Sequence, residues 1–300
     1  MSLRVVDAGI YTLVVDYGRP GFRALGVPVS GAADRFSLAI GNALVGNRPD
    51  APALELSLAG PTLQSDCELG CVVFGAPFAL SSDRQRVWVG KTFTMAPGEE
   101  LMTGSTPRRM RAYFCVRGGL RAKVTLKSAS SLEPLKAGVS LDCSPGQIPA
   151  RFLSTAFAWE RESNTLRVTD GPQASWFRAE ALYCNDYRVT DASDRMGIRL
   201  DGEPIEVPQR ELVSEPVSPG AVQALPSGQC VVLGVDGQTI GGYPKIAHVI
   251  SADVDKIGQL RPGDRVRFQR VDLAEAEMIY RQKERETREW VTRLHTTLRG

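Results

Sequence analysis

Residues 69–80, LGCVVFGAPFAL, run through β-branched and aromatic side chains for the length of one strand and are broken at Gly75 and Pro77. Branched and aromatic residues fit a pleated surface, while Gly and Pro end regular structure, so the run reads as a strand followed by a turn. The same rhythm spreads outward in both directions. Upstream lie VVDAGIYTLVVDYG at 5–18 and ALELSLAGPTLQ at 53–64; downstream lie QRVWVGKTFTMAPGEEL at 85–101 and RAYFCVRGGL at 111–120. It resumes in the second half with DYRVTDAS, GIRLDG, GQCVVLGVD, AHVISADV and DRVRFQRV, separated by turn signals such as Asp201-Gly202, Ser227-Gly228 and Pro262-Gly263-Asp264. So many strand edges are most economically satisfied by closed or nearly closed barrels.

Two stretches depart from this pattern. DRFSLAIGNAL at 34–44 places Phe36, Ile40 and Leu44 at helical spacing behind a capping Asp or Ser, which predicts one helix in the first half. After Val271 the chain carries no Gly or Pro until its last residue and is rich in helix formers, which predicts a helix capped by Asp272. Its apolar residues Met278, Ile279, Trp290, Val291 and Leu294 need a surface to cover them. The polar segment TAFAWERESN at 155–164 reads as a connection. The expectation is a mainly β chain of two tandem barrel-like units: an N-terminal unit at 1–160, a second at 161–271 and a helical tail at 272–300.

Bulk properties narrow the function. A chain of 300 residues, 43% hydrophobic and 23% charged, is long enough for two cores and needs no disulfide or metal to fold. Its 36 basic and 34 acidic residues leave +2, far from the basic excess that phosphate-backbone binding requires, so no nucleic-acid partner is expected. Arg108, Arg109 and Arg111 cluster locally, read either as a solvated face or as an anion site. Asp7 and Asp16 interrupt the first apolar stretch, and no window approaches the roughly 18 apolar residues of a membrane span. The six cysteines lack the density of a secreted disulfide scaffold. We expect reduced thiols, a cytoplasmic location, no membrane and no metal site. Of the two histidines, His248 is flanked by Ala247, Val249 and Ile250 and reads as a packed side chain rather than a Ser–His or Cys–His base.

Three glycine-dense polar segments are where catalysis or binding is expected. In residues 16–34, DYGRPGFRALGVPVSGAAD, Gly18, Gly21, Gly26 and Gly31 open unusual backbone conformations while Arg19 and Ser30 offer hydrogen bonds to a ligand. In TDASDRMGIRLDG at 190–202, Asp194 and Arg195 either hold a loop or face a substrate carboxylate or carbonyl. In VDGQTIGGYPKIAHVISAD at 235–253, Gly241 and Gly242 lead into Tyr243-Pro244-Lys245. That rigid step could aim a phenol and an ammonium at one spot, with Asp236 and Gln238 just upstream; both groups suit proton transfer or the stabilisation of developing negative charge.

Together these segments resemble the allophanate hydrolase subunit 2 family. The matching text includes GRPGF, GVPVSGAAD, GNALVGN at 41–47, LELSLAGPTL at 54–63, VRGGL at 116–120, VTDGPQ at 168–173, SDRMGIRL at 193–200, GQTIGGYPKIAHVISAD and QLRPGDRVRF at 259–268. The resemblance implies barrel-like units related to the cyclophilin-like fold. It also implies a share in an ATP-dependent amide-processing assembly with an allophanate hydrolase subunit 1-like partner, the B-type component of a 5-oxoprolinase, together with an A-type component. The reaction implied is the opening of 5-oxoproline to glutamate, a small amide substrate. Carried over by motif, Tyr243, Lys245 and Asp194 are the catalytic candidates. Arg19, Ser30, Arg195 and Gln238 are the substrate-binding ones, all expected in a cleft between the two units.

Where the family carries an LGSRST-like segment, an AGIGG stretch and a GR pair, residues 126–146 read LKSASSLEPLKAGVSLDCSPG, with Ala129 in the arginine position and Val139-Ser140 in place of the glycine pair. That puts substrate identity in question. No GxxxxGK[ST] loop occurs, so ATP is expected at a site shared with or supplied by a partner. Two other functional classes fit the resemblance: a regulatory binding module of the kinase-inhibitor-antagonist type without turnover, and a urea-type carboxyltransferase half. The second would receive carboxybiotin from another protein, since no AMKM biotinylation motif is present.

Overall fold

The computed structural model describes residues 1–154 and 164–297. The expected boundary near 160, and all but the last residue of the polar connection, lie outside the described residues. The chain is mainly β and forms two compact units that are discontinuous in sequence. One comprises residues 1–18, 35–154 and 286–297, the other residues 19–34 and 164–285.

The strands of the first unit are β1 (Ser2–Asp7), β2 (Tyr11–Val15), β3 (Ala53–Ser57), β4 (Thr62–Ser65), β5 (Leu69–Gly75), β6 (Leu80–Ser82), β7 (Phe93–Met95), β8 (Glu100–Thr103), β9 (Arg111–Val116), β10 (Leu120–Arg121) and β11 (Ser140–Cys143). They form two sheets, ordered β10-β11-β1-β4-β8-β6 and β2-β3-β9-β5-β7. Leu3, Val5 and Leu63 of the first sheet share a core with Leu54, Leu56, Val73 and Phe114 of the second. The first sheet stays open, and its edges are short: β10 has two residues and β6 three. Such stubs offer little backbone to a foreign strand.

Because side chains alternate along a strand, Glu55, Arg111 and Tyr113 leave the face that carries Leu54, Leu56 and Phe114. Buried there, Glu55 accepts from Tyr113 Oη at 2.8 Å and pairs with Arg111 Nε at 3.2 Å. Arg111 therefore belongs to neither a solvated face nor an exposed anion site. Helix α1 (Arg35–Leu44) packs on β5 and β9. It is buried from Ser37 to Leu44, so Gly41 serves close approach: a Cβ there would lie 2.8 Å from Cys115 Sγ and 3.3 Å from Phe74 Cβ. Arg151 closes the last turn of α1 by donating from Nη1 to Leu44 O at 2.8 Å; its Nη2 donates to Leu294 O at 2.6 Å.

In the second unit a seven-stranded sheet closes on itself. With β12 (Thr165–Asp170), β13 (Tyr187–Val189), β14 (Gly197–Asp201), β15 (Glu215–Pro216), β16 (Ala221–Ala224), β17 (Cys230–Leu233), β18 (Ile240–Gly241), β19 (Lys245–Val249) and β20 (Arg265–Arg270), the barrel order is β12-β19-β16-β17-β14-β13-β20. It closes by the parallel pairing of β20 with β12, Leu166 opposite Phe268; the other neighbours are antiparallel. Leu166, Val168, Val189, Leu200, Val222, Val232, Ala247 and Phe268 fill the interior. Strands β15 and β18 pair with each other outside the barrel. A short helix α2 (Val254–Ile257) follows β19, and α3 (Leu273–Thr296) follows β20.

Asp272 caps α3, its Oδ1 accepting from Glu275 N at 2.8 Å. Ile279 of α3 packs on Ile250, Ala252, Val271 and Ala276. Leu294 is buried, whereas Met278 points outward. Among the described residues no helix is long and apolar enough to cross a membrane.

The fit of α1 is directly testable. Gly41→Ala should lose stability although alanine gains about 1 kcal/mol of helix propensity over glycine, and Gly41→Ala combined with Cys115→Ala should recover part of the loss. Urea denaturation of the four proteins measures it; a Gly41→Ala protein more stable than the parent contradicts the contact.

Candidate functional site

The three glycine-dense segments meet in the second unit. Gly18, Gly21, Gly26 and Gly31 adopt φ of 81°, 90°, 79° and 79°, the left-handed region their side-chain-free backbone allows. Ser30 takes the same region at φ 54°, fully buried, with its N–H donating to Val235 O at 2.9 Å and its Oγ without a hydrogen-bond partner. A guanidinium holds the rest. Arg195 donates from Nε to Asp236 Oδ2 at 2.6 Å, and from Nη2 to Asp236 Oδ1 at 3.1 Å and Gly31 O at 2.7 Å. Its side chain is 4% exposed. Of the two readings open for Arg195, the structure selects the one in which it holds loops. Arg19 is likewise buried, with its N–H donating to Val29 O at 2.7 Å. Asp194 caps the turn into β14, Oδ1 accepting from Met196 N at 2.8 Å and Gly197 N at 3.1 Å.

The segments at 192–199 and 238–243, without residues 16–34, wall an open pocket of about 190 Å³ on the outer face of the barrel. Val231 and Leu233 of β17 and Leu225 supply its apolar side; Asp194, Arg199, Gln223, Gln238 and Tyr243 supply its polar groups. Tyr243 is 42% exposed, so its phenol is accessible. Gln223, which sequence reasoning missed, is 2% exposed and its Nε2 has no hydrogen-bond partner. A buried amide donor left unmade costs about 1–3 kcal/mol, so its position at a pocket wall marks a place for an acceptor from outside. The available signal was a glutamine inside the short apolar run AVQA, residues 221–224. Gly241 keeps the place open: a Cβ on it would lie 2.8 Å from both Gln223 Nε2 and Gln238 Nε2.

Tyr243 and Lys245, expected at one spot, have different surroundings. Lys245 is 4% exposed and its ammonium forms an ion pair with Glu215. Gln173 ties both ends of this pair, its Nε2 donating to Glu215 Oε1 at 2.7 Å and its Oε1 accepting from Lys245 N at 3.0 Å. Lys245 and Gln173 together hold the Glu215 carboxyl below its usual range. In sum, Asp194, Gln238 and Tyr243 line the pocket, Lys245 sits opposite Gln223 in the β16–β19 ladder, Arg195 ties the loops through its side chain, and Arg19 and Ser30 are buried there and bonded through their backbone N–H groups.

His248 is partly buried, but not merely packed. Its Nδ1 lies 2.9 Å from Val249 O, which can only accept, so the proton is on Nδ1 and Nε2 accepts from Ser218 Oγ at 2.7 Å. Burial lowers its pKa from the ordinary 6.5. All six cysteines are free, with Cys184 exposed and the others buried. Among the described residues no group of three His, Cys, Asp or Glu side chains could hold a metal ion.

Comparison with known proteins gives the chain its relatives. Residues 25–270 match the family described as carboxyltransferase domain, subdomain A and B. The chain is 33% identical to the C component of 5-oxoprolinase from Escherichia coli, over 98% of its own length and 99% of that protein's. The crystal structure of TTHA0988 is similar at a TM-score of 0.81 and 34% identity, over 89% of this chain and 56% of that one. That of Kluyveromyces lactis urea carboxylase is similar at a TM-score of 0.86 and 25% identity, over 96% of this chain and 29% of that one. The chain thus spans little more than half of one solved relative and under a third of the other.

The Arg195 arrangement predicts that Arg195→Ala lowers unfolding free energy by roughly 3–5 kcal/mol, because Asp236 is left without its charge partner. Arg195→Lys should fail to restore most of it, since an ammonium lacks the guanidinium fork. Urea denaturation decides, and a loss under about 1 kcal/mol would remove the loop-holding role. For His248 the lowered folded pKa means that the unfolded chain binds the proton more readily. Its contribution is therefore full above 6.5 and is lost as pH falls below that value. Melting temperatures at pH 7.5 and 5.5 should differ less in His248→Gln than in the parent.

Proposed function

The chain belongs to the family of carboxyltransferase domains with subdomains A and B, and from that premise we propose that it is the C-type component of an ATP-dependent 5-oxoprolinase, opening 5-oxoproline to glutamate. The observation that carries the proposal is its end-to-end likeness to the C component of a 5-oxoprolinase, over 98% of this chain and 99% of the relative. The pocket is compatible with it. At about 190 Å³ it lies below the roughly 300–1,000 Å³ of larger ligand sites, a size for a small lactam rather than a nucleotide.

In this reading Gln238 donates to the carbonyl oxygen of the bound amide and Gln223 faces the rest of the ligand, the apolar side formed by Val231 and Leu233 takes the ring carbons, and, as water adds to the carbonyl carbon of the ATP-activated amide, the accessible Tyr243 phenol hands a proton to the departing ring nitrogen. Asp194, exposed at the rim, is the second proton-transfer group. ATP is supplied from a B-type partner, with an A-type protein completing the assembly. The six free cysteines suit a cytoplasmic location. The likeness to urea carboxylase favours a second reading, transfer of a carboxyl group from carboxybiotin carried by another protein to a urea-like amide.

The test is ATP-dependent release of glutamate from 5-oxoproline by this chain alone and mixed with the A-type and B-type components from the same genome. Activity should require the mixture. Tyr243→Phe should lower kcat by roughly 10²-fold or more, as for loss of a general acid. A stable complex without turnover on 5-oxoproline would overturn the proposal and leave a regulatory module; carboxylation of urea in the presence of a biotinylated carrier would select the second reading.

A further inference from the structure

Gln223 and Lys245 are partners in the ladder between β16 and β19, so their side chains leave the same face of the sheet. That face is outward, since the intervening Ile246 and Ala247 and the flanking Val222 and Ala224 belong to the barrel interior. Three groups with hydrogens to give are thereby gathered: the buried and unpartnered Gln223 Nε2, the Gln238 Nε2 that flanks the same glycine, and the Lys245 ammonium. The carboxylate that meets the lysine is Glu215.

The two partners are unequally placed. The Lys245 side chain is 6% exposed and the Glu215 side chain 37%. Lys245 is fixed in a barrel strand, whereas Glu215 opens the two-residue strand β15, which pairs outside the barrel with the two-residue β18. The ammonium thus has a permanent seat and its carboxylate a light one. Burying an ammonium costs several kcal/mol unless an anion accompanies it, so some carboxylate must be present whether or not a ligand is bound.

We infer that Lys245, Gln173 and Gln223 form a receptor for a ligand carboxylate, and that Glu215 is the resident carboxylate that the ligand's own carboxylate displaces. The ligand class is a small molecule bearing a planar carboxylate or carbamate beside its amide. The inference rests on the pocket being the substrate site, and it sharpens that reading: 5-oxoproline carries such a group and urea does not.

Isothermal titration of the full-length chain tests it, with 5-oxoproline, 2-pyrrolidinone (the same ring without the carboxylate), glutamate and propionate as probes. Glu215→Gln keeps an oxygen for Lys245 but removes the competing charge, so 5-oxoproline should bind about tenfold tighter, a gain of about 1.4 kcal/mol, while 2-pyrrolidinone should not change. Gln223→Leu should weaken 5-oxoproline about tenfold with less effect on 2-pyrrolidinone. Glu215→Ala gives the same readout should Glu215→Gln fail to fold. If glutamate or propionate, but not 5-oxoproline, binds with this dependence on Glu215, the 5-oxoprolinase reading fails and the receptor stands. If no carboxylate binds the Glu215 variants more tightly than the parent, or if 2-pyrrolidinone gains equally, the receptor is overturned.

Discussion

The surface that carries the site depends on the burial of one guanidinium. Arg195 reaches Asp236 with two bonds and Gly31 with a third, and so fixes three stretches of chain that are far apart in sequence. Its contribution to net stability need not be large, because taking two charges out of water costs about as much as their attraction returns. Its contribution to geometry is larger. The planar fork admits one arrangement of donors, so the loops at 19–34 and 234–245 have one way to sit on the barrel, and the Ser30–Val235 backbone bond follows from it. A loop held this way offers a pocket already formed, and a preformed pocket spends little of a ligand's binding energy on ordering itself.

The barrel divides labour between its two faces. Val222 and Ala224 of β16 and Ile246, Ala247 and Val249 of β19 fill the interior, the consecutive pair Ile246-Ala247 being accommodated by a bulge opposite Val222 and Gln223, and the residues between them point outward, where a polar group is either solvated or held for a ligand. Gln223 lies on that outer face yet is buried, which is why its amide stands out. The chemistry available is hydrogen-bond donation and proton transfer in a small pocket, with no metal-ligating cluster among the described residues. That matches a protein whose relatives are parts of larger enzymes.

Much of this was legible in the sequence, and the illegible parts share a cause. Strands declared themselves through branched residues bounded by Gly and Pro, and Asp272 and the glycines of 16–34 behaved as local stereochemistry requires. Glycine-framed polar segments also drew attention to Asp194, Gln238 and Tyr243, which line the pocket, while the roles expected of them came from the resemblance. What stayed hidden depends on partners distant in the chain. Lys245 read as an accessible ammonium because Glu215, 30 residues upstream in a loop without periodicity, gives no sign that it will cover it. The buried Glu55–Arg111 pair looked like part of a basic run for the same reason. Nor does any local pattern announce that residues 19–34 fold with 164–285, since that grouping is made by bonds such as the one from Gln259 Nε2 to Asp34 Oδ2 at 2.7 Å.

The Lys245–Glu215 pair also bears on how a charged ligand could enter so small a site. An anion moving from water to a partly buried position ordinarily loses hydration that a single lysine only partly replaces. Exchange of one carboxylate for another avoids most of that cost. The ammonium keeps an anion throughout, Glu215 regains the water that the ligand gives up, and the net charge of the site changes by one only if Glu215 remains nearby. The balance is then set by differences that are each small: the screened repulsion of the displaced carboxylate, the gain from donating Gln223 Nε2 to an oxygen it otherwise lacks, and the apolar contact of the ligand with Val231 and Leu233. Two of these favour the ligand over Glu215, which can satisfy the lysine but leaves Gln223 unpartnered. Selectivity between a free carboxylate and the protein's own therefore resides in Gln223 rather than in Lys245, because the lysine is equally served by either.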